Sequence, residues 1–425
     1  LLVYSVATSS ALRHHLLVVA RSSRATWFMF LTFLAMQFIT LPMSNDITFS
    51  LNKVINDQIY WTGMTFLGCL LFTRRGQATK TVAWMVGLGM FIALDGFLEF
   101  KLQMPPWSNY IPSFLHIDDS LLANVLGSQA RSADGLYRVR GPYTTSLLYA
   151  EYLALIVPFI LHWMLTGRSL WLRVAMFVAW AMVTAAILLT NGRLGLVGWF
   201  LAHLGYLLIW GVRRWRTDPS GLMGPSVVLG FPAVAAVLMA VILSSNTLSN
   251  RILGGGPQAA SDAARRTQRE MTYPKVLKNP IGYGASRSGA TLMYVAPSGG
   301  VTVDNLYISM VLDYGVVGLF SFFAMFVFAA WSGIRLYFNT SDREIELEGP
   351  LGVTMIVFVV IRFVLSQDVN ITFLFLLLGM VLALKAREDG LVPSTGDLPA
   401  PASLPGYRIS LSGSGSAGSG LEHPA

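Results

Sequence analysis

Long apolar runs separated by short polar connections dominate this chain. A helical span needs about 20 mostly apolar residues to cross the hydrocarbon of a bilayer. On that measure the pattern predicts ten membrane helices, near residues 25–43, 55–73, 80–100, 143–165, 169–190, 193–211, 222–243, 304–334, 350–366 and 371–385. The eighth is long enough to tilt or to extend beyond the bilayer. Residues Leu1 to Ser10 read as the end of an earlier span, and no signal peptide is readable. The expected fold is therefore all-α and polytopic, with 10–12 spans in a single domain over residues 1–390. Two long connections, 101–142 and 244–303, interrupt it, the second expected to carry short helices. From residue 391 to 425 the chain is rich in Pro, Gly and Ser and reads as a disordered tail, with Ser412 to Gly420 resembling a flexible linker.

Composition agrees. Hydrophobic residues make up 54% of the chain and charged residues only 12%, about half the charged share of a soluble domain. Such a chain cannot cover its surface with polar groups, so lipid is its solvent. The single cysteine, Cys69, lies in an apolar run, which excludes an internal disulfide and a cysteine metal site. The six histidines are scattered without metal-ligand spacing, and there is no phosphate-binding loop. No metal, cofactor or nucleic-acid partner is expected.

The formal net charge of +8 matters less than its placement. Arg21/Arg24, Arg74/Arg75/Lys80, Arg168/Arg173, Arg213/Arg214/Arg216, Arg335/Arg343 and Lys385/Arg387 fall on alternate connections. They share one side, which the positive-inside rule makes cytoplasmic. The two long connections fall on the opposite side, yet they are also basic. The first holds Arg131, Arg138 and Arg140. The second holds Arg251, Arg265, Arg266, Arg269, Lys275, Lys278 and Arg287 against Asp262 and Glu270. Long loops cross membranes despite such charge, so a solvated basic loop is one reading. The other is an anion site at the outer membrane surface, where guanidinium forks match phosphate oxygens.

Four outer-side features carry candidate chemistry. Arg138-Val139-Arg140-Gly141-Pro142 leads into the fourth span and sets two arginines at headgroup height, where arginines also snorkel to lipid phosphates. Thr190-Asn191-Gly192-Arg193 joins the fifth and sixth spans almost without a loop, so Arg193 needs an anionic partner. Arg265-Arg266-Thr267-Gln268-Arg269-Glu270 reads as a short basic amphipathic helix interrupted by Pro274. The turn-rich Asn279-Pro280-Ile281-Gly282-Tyr283-Gly284 follows, where Gly282 and Gly284 let backbone N–H groups approach a ligand. Finally Asp304-Asn305-Leu306-Tyr307 opens the eighth span. Asp304 is placed either to cap that helix or to take a proton from a hydroxyl. Asp95, Glu99, Glu151, Asp313 and Asp368 are further acids at membrane depth, where pairing with arginines such as Arg362 competes with function.

In their order and spacing these features resemble the O-antigen ligase and Wzy-type polysaccharide polymerase superfamily, over roughly residues 138–318. Asn191-Gly192-Arg193 is similar to the family's Ser-Arg turn. Asn279-Pro280-Ile281-Gly282-Tyr283-Gly284, with an arginine some fifteen residues before it, is similar to Pro-x-x-Gly-x-Gly. Asp304-Asn305-Leu306-Tyr307 followed by Gly315-Val316-Val317-Gly318 is similar to His-Asn-x-Tyr-Leu and Gly-x-x-Gly. Asp304 stands where the ligases carry His, which looks more like the polymerase branch and puts an imidazole mechanism in doubt. Either Arg265 or Arg266 aligns with the family arginine, and Arg269 lies one turn further on.

The resemblance implies a helical, metal-independent glycosyltransferase of the kind called GT-C, facing the periplasm from a bacterial inner membrane. Its donor would be an oligosaccharide on undecaprenyl pyrophosphate, polymerised into exopolysaccharide or O-antigen. Chain-length regulator and flippase proteins would be its partners beside the bilayer. It implies catalytic roles for Asp304, Arg193 and Arg266, and substrate contacts for Arg138, Arg140, Arg265, Arg269, Gly282, Tyr283, Gly284, Asn305 and Tyr307. The alternatives are a ligase that moves finished glycan to a lipid A-core acceptor and a transporter or flippase of lipid-linked glycan. No internal repeat of the kind transporters use is visible.

Overall fold

The computed structural model describes residues 9–110, 135–244, 259–295 and 300–391. The chain order is α1 (Ser10–Ser22), α2 (Arg24–Ile39), α3 (Ile47–Asp57), α4 (Gly63–Leu71), α5 (Gln77–Leu102), α6 (Ser146–Thr166), α7 (Leu170–Leu189), α8 (Arg193–Thr217), α9 (Met223–Ser244), α10 (Ala259–Lys278), α11 (Ser288–Leu292), α12 (Leu306–Asn339), α13 (Glu348–Ile361) and α14 (Ile371–Glu388). The expected tail and part of each long connection, including Arg131 and Arg251, lie outside the described residues.

The fold is all-α, as the apolar pattern predicts. Six helices among the described residues are long and apolar enough to cross a membrane: the stretch Arg24–Met43, then α5, α6, α7, α8 and α12. The other four expected spans are also helices, differently bounded. The second is α3 and α4 joined by a π-helical turn at Gln58–Thr62. The expected span 350–366 stops at Ile361, because Arg362 turns inward to an ion pair with Glu151, Nε to Oε1 at 2.8 Å. Asp368, expected within a span, lies on the connection between α13 and α14. α12 has 34 residues, broken by non-helical backbone at Gly315; the longer part beyond that break rises about 36 Å, enough for the roughly 30 Å of hydrocarbon.

α6 runs through the middle of the bundle and is buried from Leu148 to His162; it packs on α5, α7, α8 and α13. Its neighbour α8 comes close because Gly195 faces Ala150 and Ile187: a Cβ there would stand 2.8 Å from the Ala150 Cβ. α12 packs against α2 and α13 and bends at Gly315, whose φ of 71° and ψ of −175° are open only to glycine at low cost.

The connections gather at two ends, as alternation along the chain requires. At one end Glu344 accepts hydrogen bonds from the backbone N–H groups of Gly76 and Ala78 and pairs with Arg387, while Arg213 donates to Glu346 and to the Thr340 carbonyl. At the other end Asn191 donates to the Tyr137 carbonyl, Ser50 to the Ala285 carbonyl, and Lys53 bridges Asp57 and Asp368. The second end carries α10 and the sequence-expected chemistry.

Candidate functional site

The short turn between α7 and α8 is the foundation. Asn191 adopts φ 49°, and the Thr190 hydroxyl accepts from the Gly192 N–H, so the chain reverses in three residues and α8 starts at Arg193. The extended segment before α6 is fastened to this turn, with the Val139 N–H donating to the Leu189 carbonyl and Arg138 Nε to the Thr190 carbonyl at 3.3 Å. Arg138 and Arg193 therefore stand on neighbouring strands of backbone. Gly192 lies between them, its Cβ position 3.5 Å from Arg138 Nη2.

The amphipathic helix α10 closes over this turn. Arg193 holds Asp262 with both prongs of its guanidinium, Nη1–Oδ2 at 3.0 Å and Nη2–Oδ1 at 2.7 Å. Arg265, one turn along α10, reaches the same carboxylate at 3.3 Å. Its Nε is buried with no hydrogen-bond partner among the described residues. Gln268, a further turn on, is fully buried and binds the Asp304 segment twice: its Oε1 accepts from the Asp304 N–H at 3.1 Å, and its Nε2 donates to Asp304 Oδ2 at 3.4 Å. Three side chains spaced at i, i+3 and i+6 thus join the α8 N-terminus to the start of α12.

Three guanidiniums, Arg138, Arg193 and Arg265, share this region with two carboxylates, Asp262 and Asp304. The hydrogen bonds from Arg193, followed by the charges of Arg193 and Arg265, hold the Asp262 carboxyl below the usual carboxylate range against the opposing effect of burial. Burial, then the Arg193 charge, pushes Arg265 down from the ordinary guanidinium value; the Asp304 and Asp262 charges resist. Burial and then Arg265 do the same to Arg138. Crowded, partly dehydrated cations of this kind favour a ligand with more negative charge than one carboxylate.

Asp304 does not cap α12. That place belongs to Asn305, whose Oδ1 accepts from the Tyr307 N–H at 2.8 Å. The Asp304 carboxylate is half-buried and faces Gln268 and Arg265.

Several expected site residues lie elsewhere. Arg266 points to solvent, its side chain 77% exposed, and pairs with Glu270 one turn on; Arg269 is also exposed. Between the two candidates for the family arginine, the geometry brings only Arg265 to Arg193. Arg140 is buried beside Glu99, which accepts from the Arg140 and Gly141 N–H groups and from the Tyr137 hydroxyl. That carboxylate anchors the segment carrying Arg138. Tyr283 and Gly284 give their N–H groups to the Leu312 and Asp313 carbonyls, and Val316 N–H donates back to Pro280. Those donors, expected for a ligand, hold the bend of α12, and Gly282 is needed because a Cβ would stand 2.6 Å from the Asp313 oxygen. Tyr307 is stacked between Phe323 and Phe363 and bonds the Val359 carbonyl. Pro274 does not interrupt its helix: it is exposed within α10, where the carbonyl it leaves without a partner can meet water.

Sequence reasoning missed Asp262 as Arg193's partner and Gln268 as the link to Asp304. Only the i, i+3, i+6 spacing with Arg265 on one helix face signals them.

Residues 177–323 match the family model described as O-Antigen ligase. The matched stretch runs from α7 into α12 and contains Arg193, Asp262, Arg265 and Asp304. The match supports the O-antigen ligase superfamily as a whole and does not separate its ligases from its polymerases. Comparison with curated proteins gives no match.

Proposed function

We propose that this multi-pass membrane protein, with its O-antigen ligase segment over residues 177–323, is a glycosyltransferase that polymerises undecaprenyl-pyrophosphate-linked repeat units at the periplasmic face of a bacterial inner membrane. The observation that carries the proposal is the gathering of Arg138, Arg193 and Arg265 beside Asp304 at one end of the bundle.

A donor diphosphate offers more negative charge than Asp262 and displaces it from the Arg193 fork. Arg265 then uses its unpartnered Nε, and Arg138 adds its charge from the α6 side. The acceptor hydroxyl attacks the anomeric carbon of the donor glycan. A new C–O bond forms, the bond from that carbon to the phosphate oxygen breaks, and its electrons leave with undecaprenyl pyrophosphate. The arginines stabilise that growing charge, work they do best when already ordered and partly dehydrated. Asp304 receives the hydroxyl proton. A carboxylate in that role, where the ligases carry His, favours the polymerase reading.

The test is single-turnover polymerisation by purified protein with the lipid-linked glycan extracted from a strain that lacks the gene. Arg193→Ala and Arg265→Ala are expected to lose donor binding and turnover together. Asp304→Asn is expected to keep donor binding and lose turnover. Normal polymer from both arginine variants overturns the proposal. Deletion of the gene is expected to leave single repeat units; long lipid-linked chains would instead indicate the ligase reading.

A further inference from the structure

At the opposite end of the bundle, a cavity of about 360 Å³ lies between the start of α2 and the last turns of α12 and α14. Arg24, Arg335 and Lys385 line it, together with Ser23, Thr26 and Trp331. Lys385 pairs with Asp389 at 3.2 Å. Arg24 and Arg335 have no carboxylate partner among the described residues, and the Arg335 guanidinium rests 5.4 Å from the centre of the Trp331 ring. Two of these three cations thus lack a carboxylate partner among the described residues. The N-terminus of α2, a helix of 16 residues, adds to the positive field: Ser23 makes no capping hydrogen bond, and its hydroxyl pairs with that of Thr26. The first-turn N–H groups are left for an anion.

The surroundings identify the kind of anion. Phe328 and Trp331 also line the cavity, are 39% and 60% exposed, and belong to a helix apolar enough to cross a membrane. A tryptophan beside basic groups at a helix end marks the level where acyl chains give way to headgroups. Arg24, Arg335 and Lys385 all lie at helix ends next to connections that the charge alternation assigns to the cytoplasm, the leaflet face with negative surface potential. We propose that this cavity binds the phosphate of an anionic phospholipid headgroup from the cytoplasmic leaflet, with the acyl chains lying along the exposed apolar side of α12 at Phe328 and Trp331. This site is separate from the arginine cluster at the other end and does not depend on the glycosyltransferase reading.

The test follows thermal unfolding of the full chain in detergent with phosphatidylglycerol, phosphatidylethanolamine or inorganic phosphate added, and lipid retention by native mass spectrometry. Phosphatidylglycerol is expected to raise the midpoint and to be retained, and the other two to have no effect. Arg24→Gln combined with Arg335→Gln is expected to abolish both responses, and Lys385→Gln to weaken them. Arg168→Gln, an exposed arginine at the same end outside the cavity, should leave them intact. If the double variant folds poorly, lipid retention by Lys385→Gln alone decides. Equal responses to phosphatidylethanolamine, or a phosphatidylglycerol response that survives in both cavity variants, overturn the proposal. A midpoint shift from inorganic phosphate alone also overturns it, in favour of a free-anion site.

Discussion

Arg193 and Asp262, 69 residues apart in sequence, form a two-pronged ion pair at 2.7 and 3.0 Å. The pair closes α10 onto the α7–α8 turn. The carboxylate occupies the place and geometry that a phosphate would take on the same fork.

Removing that competitor should help a diphosphate bind. Asp262→Asn keeps the shape of the side chain and removes its charge. It is expected to lower the donor KM by roughly tenfold, the worth of about 1.4 kcal/mol in a charge-assisted contact, with turnover nearly unchanged. A KM equal to or above that of the parent protein would show that Asp262 does not compete with the donor.

The same pair predicts a pH dependence. The Asp262 carboxyl is held below its ordinary value, so it binds fewer protons folded than unfolded. Its contribution is therefore complete above the ordinary carboxylate value of about 3.9 and is lost as pH falls through the lower folded value. A spin label at the exposed Thr267 is expected to gain mobility on acidification below that range. In Asp262→Asn, which has no carboxyl to titrate at that position, this pH-dependent change should be absent.

Arg265 and Arg266 are adjacent in sequence but differ in surroundings. Arg265→Ala is expected to cost about 10²- to 10³-fold in turnover, the usual scale for losing one donor to a developing oxyanion. Arg266→Ala removes only a solvent-exposed pair with Glu270, worth less than about 1 kcal/mol, and should polymerise normally. Initial rates with the lipid-linked substrate separate the two. Equal losses would place the diphosphate on the outer face of α10.

Gly315 allows the bend that docks the Gly282–Gly284 turn. A Cβ there would lie 2.2 Å from the Ile281 oxygen, and its φ of 71° strains any other residue. Gly315→Ala is expected to destabilise the protein by more than about 2 kcal/mol, combining backbone strain and overpacking. Gly289→Ala, where the nearest contact is an ordinary 3.7 Å, serves as a control. Thermal unfolding in detergent compares them, and equal midpoints would remove the bend's structural role.

The all-α, polytopic character and the sorting of connections to two ends were legible in the sequence because each follows from local composition. Apolar runs must be helical in lipid, where backbone groups find no water, and basic connections alternate along the chain. Arg193 was legible too, since a guanidinium between two apolar runs needs an anion. What tertiary structure decided were the assignments among near-identical neighbours. Arg265 turns inward while Arg266 faces water because consecutive helical residues point about 100° apart, and only the docking of α10 fixes which direction is in. Asn305 rather than Asp304 caps α12, and Glu99 anchors the Arg138 segment, because those hydrogen bonds need the backbone already in place. The Tyr283 and Gly284 donors serve the bent α12 for the same reason: a backbone N–H takes whichever acceptor the fold brings to it.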